Sequence, residues 1–109
     1  DSFQELAVVA AVRATLPSST STIGLRVNPL VGAGAIQALS VSTRESKFGI
    51  PIDQKEEILS AFRRYSWLNC MHIHVGSAQM GVRLLTTGVR RLVDLALELN
   101  ASLGSDQIR

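Results

Sequence analysis

Two histidines and a Gly-Ser pair in the segment from His72 to Ser77 could bind a cofactor or a metal. Alternate side chains of an extended chain point to opposite faces, so Met71, Ile73 and Val75 are expected on one face and both imidazoles on the other. The Gly-Ser pair reads as a turn, and a helical pattern begins soon after it. A strand, a turn and a helix in this order can present a helix N-terminus to a phosphate group. The pattern therefore indicates a cofactor or metal site at the end of a buried strand.

The spacing of His72 and His74 also suits a metal-binding pair, as in some barrel hydrolases. The chain has no third histidine, so further ligands would have to be carboxylates from other strands. We predict no metal site from these residues, and a barrel metallohydrolase stays open as the less favoured alternative.

The composition is that of one small globular domain. The chain has 109 residues, of which 46% are hydrophobic and 18% charged, with a formal net charge of +2. No basic run is interleaved with aromatic residues, and no apolar run approaches the roughly 20 residues that span a bilayer. Neither a nucleic acid nor a membrane is predicted as a partner.

The single cysteine, Cys70, fits a reducing, cytoplasmic location and is expected to be a buried, inert thiol. The Arg63-Arg64 and Arg90-Arg91 pairs are expected on solvated helix faces.

Two helices are predicted from capping signatures. Ser2 and Glu5 form a capping box that opens the first helix, which must end by Pro17. Asp53 and Glu56 form a second such signature, opening a helix that runs to about residue 66. The residues expected to face inward from this second helix are Ile58, Leu59 and Phe62.

A third helix is predicted from Val82 to Asn100, with Asn100 and Gly104 as stop signals. The residues at helical spacing that are expected to face inward are Leu85, Val89, Leu92, Val93, Ala96 and Leu99.

Two strands are predicted, at residues 23–29 and 67–75, and residues 107–109 are expected to begin another. Residues 30–46 are expected to form a long loop, after which Phe48 and Ile50 return to the core. Strands that alternate with helices indicate an α/β fold with a parallel sheet, and two such strands need cover from further elements. A (β/α)₈ barrel explains best why polar residues face inward, since inward residues near the C-terminal ends of its strands form the active site. The residues assigned to the interior are Arg26, Asn28, His72 and His74.

Three segments in this order resemble the fold-type III pyridoxal-phosphate decarboxylases: LRVNP at 25–29, SKFGI at 46–50 and HIHVGS at 72–77. That family contains the diaminopimelate, ornithine and arginine/lysine decarboxylases and is related to alanine racemase. The opening DSFQEL also resembles the family, and the diaminopimelate-decarboxylase-like members are most similar. The resemblance implies a partial (β/α)₈ TIM barrel over residues 1–109, from about the end of strand 3 to the start of strand 6. The first barrel strands and a C-terminal β domain are expected outside this range.

The resemblance also implies roles for four residues. His74 would stack on the pyridine ring of pyridoxal 5′-phosphate, Ser77 would bind its phosphate, and Arg26 would lie near the cofactor. For Arg26 a purely structural ion pair remains equally open, because a buried guanidinium requires an anionic partner. Lys47 would lie in a loop that approaches the partner subunit of a homodimer. His72 is expected to hydrogen-bond deeper in the barrel.

No catalytic acid or base is predicted within residues 1–109, because the family's cofactor-linked lysine is expected upstream. The role of the family's glutamine is not carried to Gln79, because one extra residue, Ala78, separates it from Ser77.

These implications predict that the parent protein is a cytoplasmic, pyridoxal-phosphate-dependent decarboxylase of a basic or diamino acid. The segment would supply one wall of the cofactor pocket and would be inactive alone. A homologue that has lost the cofactor and serves as a binding or regulatory protein is the main alternative. A lysine on the first barrel strand of the full reading frame would distinguish the two.

Overall fold

The fold is an α/β arrangement of parallel strands and helices, as the sequence predicts. The computed structural model describes residues 1–31, 48–75 and 82–109. In these ranges the strands form one parallel sheet in the order β2-β1-β3. The elements in chain order are α1 (Phe3–Ala14), β1 (Ile23–Asn28), β2 (Ile50–Pro51), α2 (Lys55–Arg64), β3 (Leu68–His72) and α3 (Val82–Leu103).

The core lies between the sheet and the helices α2 and α3. β1 is the central strand, and its Leu25 and Val27 side chains are buried on the helix side, as predicted. Apolar side chains from every element pack against them, which makes this layer the main source of hydrophobic stabilisation. The buried cluster includes Leu6, Ile50, Ile58, Phe62, Leu68, Leu95, Leu99 and Ile108.

An irregularity in β3 changes which side chains reach the core. The parallel register pairs Ile23 with Leu68 but Gly24 with Cys70, so β3 carries one extra residue at this point. Such a bulge turns the strand, and Leu68 and Met71 consequently both contact the core. Cys70 is only half-buried, which corrects the prediction of a buried thiol.

The capping box of α1 is present. The Ser2 side chain accepts a hydrogen bond from the backbone of Glu5, and the Glu5 carboxylate accepts one from the Ser2 backbone at 2.9 Å. The helix ends at Ala14, before the predicted limit at Pro17. Leu6 is its one buried residue.

The predicted capping signature of α2 is wrong. The helix begins at Lys55, and the N-cap residue is Gln54, whose side chain makes no capping hydrogen bond. The reason lies in the preceding turn: the backbone N–H of Gln54 donates to the carbonyl of Pro51 at 3.0 Å, which places Asp53 inside the turn. The predicted inward residues are all buried, namely Ile58, Leu59 and Phe62.

The inward stripe of α3 is only partly as predicted. Leu99 is buried, and Leu92 and Ala96 are partly buried against the core, whereas Leu85, Val89 and Val93 are exposed. Gly88 and Leu95 lie on the face of the helix that contacts the core. The exposed apolar residues form a second row at helical spacing, and periodicity alone cannot distinguish the buried row from the exposed one. Asn100 does not stop the helix, which continues to Leu103 and ends at Gly104 with a positive φ of 65°.

The strand β2 was not predicted. It has only two residues, and Ile50 and Pro51 pair with Val27 and Asn28 of β1. Ile50 is buried as predicted, but Phe48 is 36% exposed, so its assignment to the core is wrong. The predicted loop at residues 30–46 lies almost entirely outside the described residues.

Residues 106–109 return along β3. The Gln107 side-chain amide donates to the carbonyls of Phe62, Tyr65 and Leu68 at 2.9–3.1 Å. The Arg109 backbone N–H donates to the Asn69 carbonyl of β3 at 3.1 Å. The chain therefore runs beside β3 where a further strand would pair, although residues 107–109 do not form a strand.

None of the helices in the described ranges is long and apolar enough to cross a bilayer.

Candidate cofactor-binding face

The sheet face opposite α2 and α3 carries the polar side chains of β1 and β3. Arg26 and His72 are register partners on adjacent parallel strands, so their side chains lie side by side. Ile73 and Val75 point the other way: their side chains lie 3.5 and 2.7 Å from where a Cβ on Gly88 of α3 would be. Since an extended chain alternates, His74 shares the face of His72. We call this surface the polar face, and it consists of Arg26, Asn28, His72 and His74.

His74 lies two residues beyond the last residue of β3, at the C-terminal end of the strand. The imidazoles of His72 and His74 are both exposed, and in the described ranges no hydrogen bond to either ring is found. The expected hydrogen bond of His72 inside a barrel therefore has no counterpart among these residues. As far as the described residues extend, both rings are accessible to a ligand on this face.

Arg26 has the anionic partner that the sequence required. Its Nη1 lies 3.3 Å from Oδ1 of Asp1, and its guanidinium lies 5.1 Å from the ring centroid of Phe48. The side chain is 21% exposed. The structural ion pair of Arg26 is thus present.

Asn28 shapes the end of β1. It is buried, its Oδ1 accepts a hydrogen bond from the backbone of Leu30 at 3.1 Å, and its carbonyl accepts one from Ile52. Leu30 has a φ of 53°, an unusual conformation for a residue with a branched side chain. A turn held in this way fixes the direction in which the chain leaves the polar face.

Arg91 is a residue that the sequence reasoning missed. Its Nη1 donates to the carbonyls of Pro29 and Leu30 at 2.7 and 2.8 Å. Arg90 and Arg91 are both exposed, as predicted, and Arg91 in addition joins α3 to the end of β1. No local pattern signals the contact, which spans about 60 residues of sequence.

Three residues of predicted interest, Lys47, Ser77 and Gln79, lie outside the described residues. In the part of the chain that the structure describes, no three His, Cys, Asp or Glu side chains are grouped closely enough to hold a metal ion.

A cleft of about 570 Å³ lies between α1 and α2, and no residue of the polar face lines it. Its lining includes Leu6, Glu56 and Glu57. Two carboxylates against the one guanidinium of Arg64 leave the lining net negative, which disfavours a phosphorylated ligand.

Comparison with known proteins gives one consistent result. The sequence model of the family described as "Pyridoxal-dependent decarboxylase, pyridoxal binding domain" matches residues 1–107. Diaminopimelate decarboxylase of Helicobacter pylori is 26% identical over 108 residues, which cover 97% of this chain and 26% of that protein. The chain thus spans about a quarter of the length of this curated relative.

Two solved structures of the Helicobacter pylori diaminopimelate decarboxylase, both complexed with L-lysine, share the fold. A mutant form has a TM-score of 0.78 and 26% identity, covering 97% of this chain and 27% of that one. The second has a TM-score of 0.77 and 24% identity over the same shares of the two chains.

Proposed function

We propose that this chain supplies one wall of the cofactor pocket in an amino-acid decarboxylase. The premise is that the chain belongs to the pyridoxal-dependent decarboxylases and forms part of their pyridoxal-binding domain. Pyridoxal 5′-phosphate is the cofactor of this family. The observation that carries the proposal is the position of His74, exposed at the C-terminal end of β3 on the same face as Arg26. Ligands of parallel α/β folds bind at this end of the strands.

The residues of the polar face fit pyridoxal phosphate. An imidazole is flat and can cover one side of a pyridine ring, excluding water and fixing the ring's orientation. The guanidinium of Arg26 lies one strand away on the same face, where it would donate hydrogen bonds to an anionic cofactor beside its ion pair with Asp1. When bound, the cofactor provides the electron-withdrawing ring that stabilises the charge left by departing carbon dioxide. The part assigned to His74 is therefore binding and orientation, not proton transfer.

Two roles implied by the family resemblance remain part of the proposal. Ser77, three residues after His74, would donate a hydrogen bond to the phosphate. Lys47 would lie near the partner subunit of a homodimer.

The described strands would belong to a larger (β/α)₈ barrel. Support comes from the parallel order of the strands and from Arg109, whose backbone begins to pair with the outer edge of β3. The polar face would then point into the barrel at its C-terminal rim, where such barrels hold their active sites.

The proposed substrate is a basic or diamino acid. The relative named diaminopimelate decarboxylase has been crystallised with L-lysine, and removal of one carboxyl group from diaminopimelate gives lysine. The candidate substrates are diaminopimelate, lysine, ornithine and arginine.

The test uses the full-length parent protein. Purified with pyridoxal phosphate, it should show a visible absorbance band of bound cofactor and release carbon dioxide from at least one of these four amino acids, but not from glutamate. A protein that binds no cofactor would refute the proposal and favour the cofactor-free alternative. Activity that is lost with a chelator and does not need pyridoxal phosphate would favour a metallohydrolase.

A further inference from the structure

We infer that one turn of α3 positions the polar face for the cofactor by holding the C-terminal ends of both β1 and β3. We call this turn the α3 clamp, and its two contact residues are Gly88 and Arg91. The inference rests on the proposed function, because it assigns these residues a role in a pocket of which His74 forms part. Neither residue is proposed to touch the cofactor or the substrate; both are positioning residues.

The contact with β1 is made by Arg91. Its guanidinium donates to two successive carbonyls, those of Pro29 and Leu30, directly after the strand. Hydrogen bonds from a charged donor are stronger than neutral ones, and two on one nitrogen fix both peptide groups. The second of these residues has a φ of 53°. A conformation of this kind persists only where several contacts hold it, and here the Asn28 side chain and Arg91 hold it from opposite ends.

The contact with β3 is made by Gly88, which is buried although it lies on a helix. A Cβ at this position would lie 2.7 Å from Cγ2 of Val75, closer than two carbon atoms can approach, and 3.5 Å from both Ile73 and Pro29. The lack of a side chain therefore lets α3 sit directly against the residues on either side of His74. Glycine is about 1 kcal/mol less favourable than alanine in a helix, so helix propensity does not explain its presence here. The close packing against Val75 does.

One helical turn thus touches the ends of both strands that carry the polar face. Gly88 and Arg91 are three residues apart and lie on the same side of α3. Pro29 meets both, since its side chain faces Gly88 and its carbonyl accepts from Arg91. A shift of this turn would move the backbone next to His74 relative to β1, and a misplacement of about 1 Å can cost a binding or catalytic site as much as a hundredfold.

The first test compares Arg91→Met with Arg90→Met in the full-length holoenzyme. Both residues are exposed and both changes remove the same charge from adjacent positions, but Arg90 makes no hydrogen bond in the described ranges. We expect Arg91→Met to weaken pyridoxal phosphate binding about tenfold, a loss of about 1.4 kcal/mol. The visible circular dichroism of the bound cofactor should change as well, because it reports the orientation of the ring. Arg91→Lys should restore most of the affinity, since an ammonium group can still donate to the two carbonyls.

The second test does not depend on Arg91. Gly88→Ala should weaken cofactor binding, and adding Val75→Ala should recover it, because the shortened side chain removes the overlap at 2.7 Å. If Gly88→Ala alone prevents folding, the comparison is made between Val75→Ala and the double variant, whose affinities should agree within about twofold.

The outcomes separate the two claims. A wild-type protein that binds no pyridoxal phosphate refutes the proposed function. A wild-type protein that binds it, with equal affinities and dichroism for Arg91→Met and Arg90→Met, refutes the clamp and leaves the proposed function standing. A double variant that binds no better than Gly88→Ala also counts against the clamp.

Discussion

Replacement of His74 by alanine in the full-length protein tests which residue of the polar face meets the cofactor. His72 provides a matched control, because both histidines are exposed and share one face of the same extended segment. They lie two residues apart, so their rings are separated by about 6.6 Å along the strand. A ring stacked on His74 therefore cannot be covered equally by His72.

The expected loss follows from the contact that disappears. A stacked pair of flat rings contributes about 0.5–1.5 kcal/mol beyond the area it buries. The ring of His74 is exposed, so one of its faces is available for contact, and about 40 Å² buried at about 25 cal/mol per Å² adds about 1 kcal/mol. The sum of about 1.5–2.5 kcal/mol corresponds to a dissociation constant about tenfold to sixtyfold higher. His72→Ala should change the dissociation constant by less than about threefold, because His72 makes no stacking contact with the cofactor in this proposal.

The assay is a titration of each apoenzyme with pyridoxal phosphate, followed by absorbance and by carbon dioxide release at saturating cofactor. Thermal denaturation of each variant shows that the protein is folded. Equal cofactor affinities for His74→Ala and the wild type, or a larger loss for His72→Ala, would refute the assignment of His74.

Three further predictions concern stability. Gln107→Met keeps the size of the side chain but leaves the carbonyls of Phe62, Tyr65 and Leu68 without their shared donor. The free energy of unfolding of the parent, measured with urea, should therefore fall by about 1–3 kcal/mol. An unchanged unfolding midpoint would show that water replaces the amide. Gly104→Ala should lower the free energy of unfolding by about 1–2 kcal/mol through its φ of 65° and not through a clash, because no atom of the described residues lies within 4 Å of the added Cβ. Gly104→Asn should lower it less. The isolated chain should self-associate in size-exclusion chromatography and bind a hydrophobic dye, because Val8, Val12, Leu85, Val93 and Leu97 are at least 50% exposed; a sharp two-state melt of a dye-free monomer would contradict this.

Features that depend on neighbouring residues could be predicted from the sequence. The capping box of Ser2 and Glu5 lies within one turn, and the alternation of Leu25 and Val27 with Arg26 needs only an extended chain. The family resemblance added what periodicity could not, namely that the HIHVGS segment belongs to a pyridoxal-binding domain.

Features that depend on distant residues could not be predicted. β2 is a strand only because Ile50 and Pro51 meet β1, and two residues carry no periodic signal of their own. The apolar rows of α3 have the same spacing in the sequence, and only the packing of Gly88 against the sheet identifies the buried one. Arg91 and Arg90 cannot be distinguished in the sequence either, and only the contact of Arg91 with the end of β1 separates them. In each case tertiary contact, not local preference, decides the outcome.

A crystal structure of the full-length protein with pyridoxal phosphate tests the central claim most directly, through the distance and angle between the imidazole of His74 and the pyridine ring. The account predicts that the two rings are nearly parallel and in van der Waals contact, about 3.5–4.0 Å apart, with the cofactor at the C-terminal ends of β1 and β3. A cofactor bound elsewhere, or at this end of the sheet with His74 turned away from it, would contradict the account.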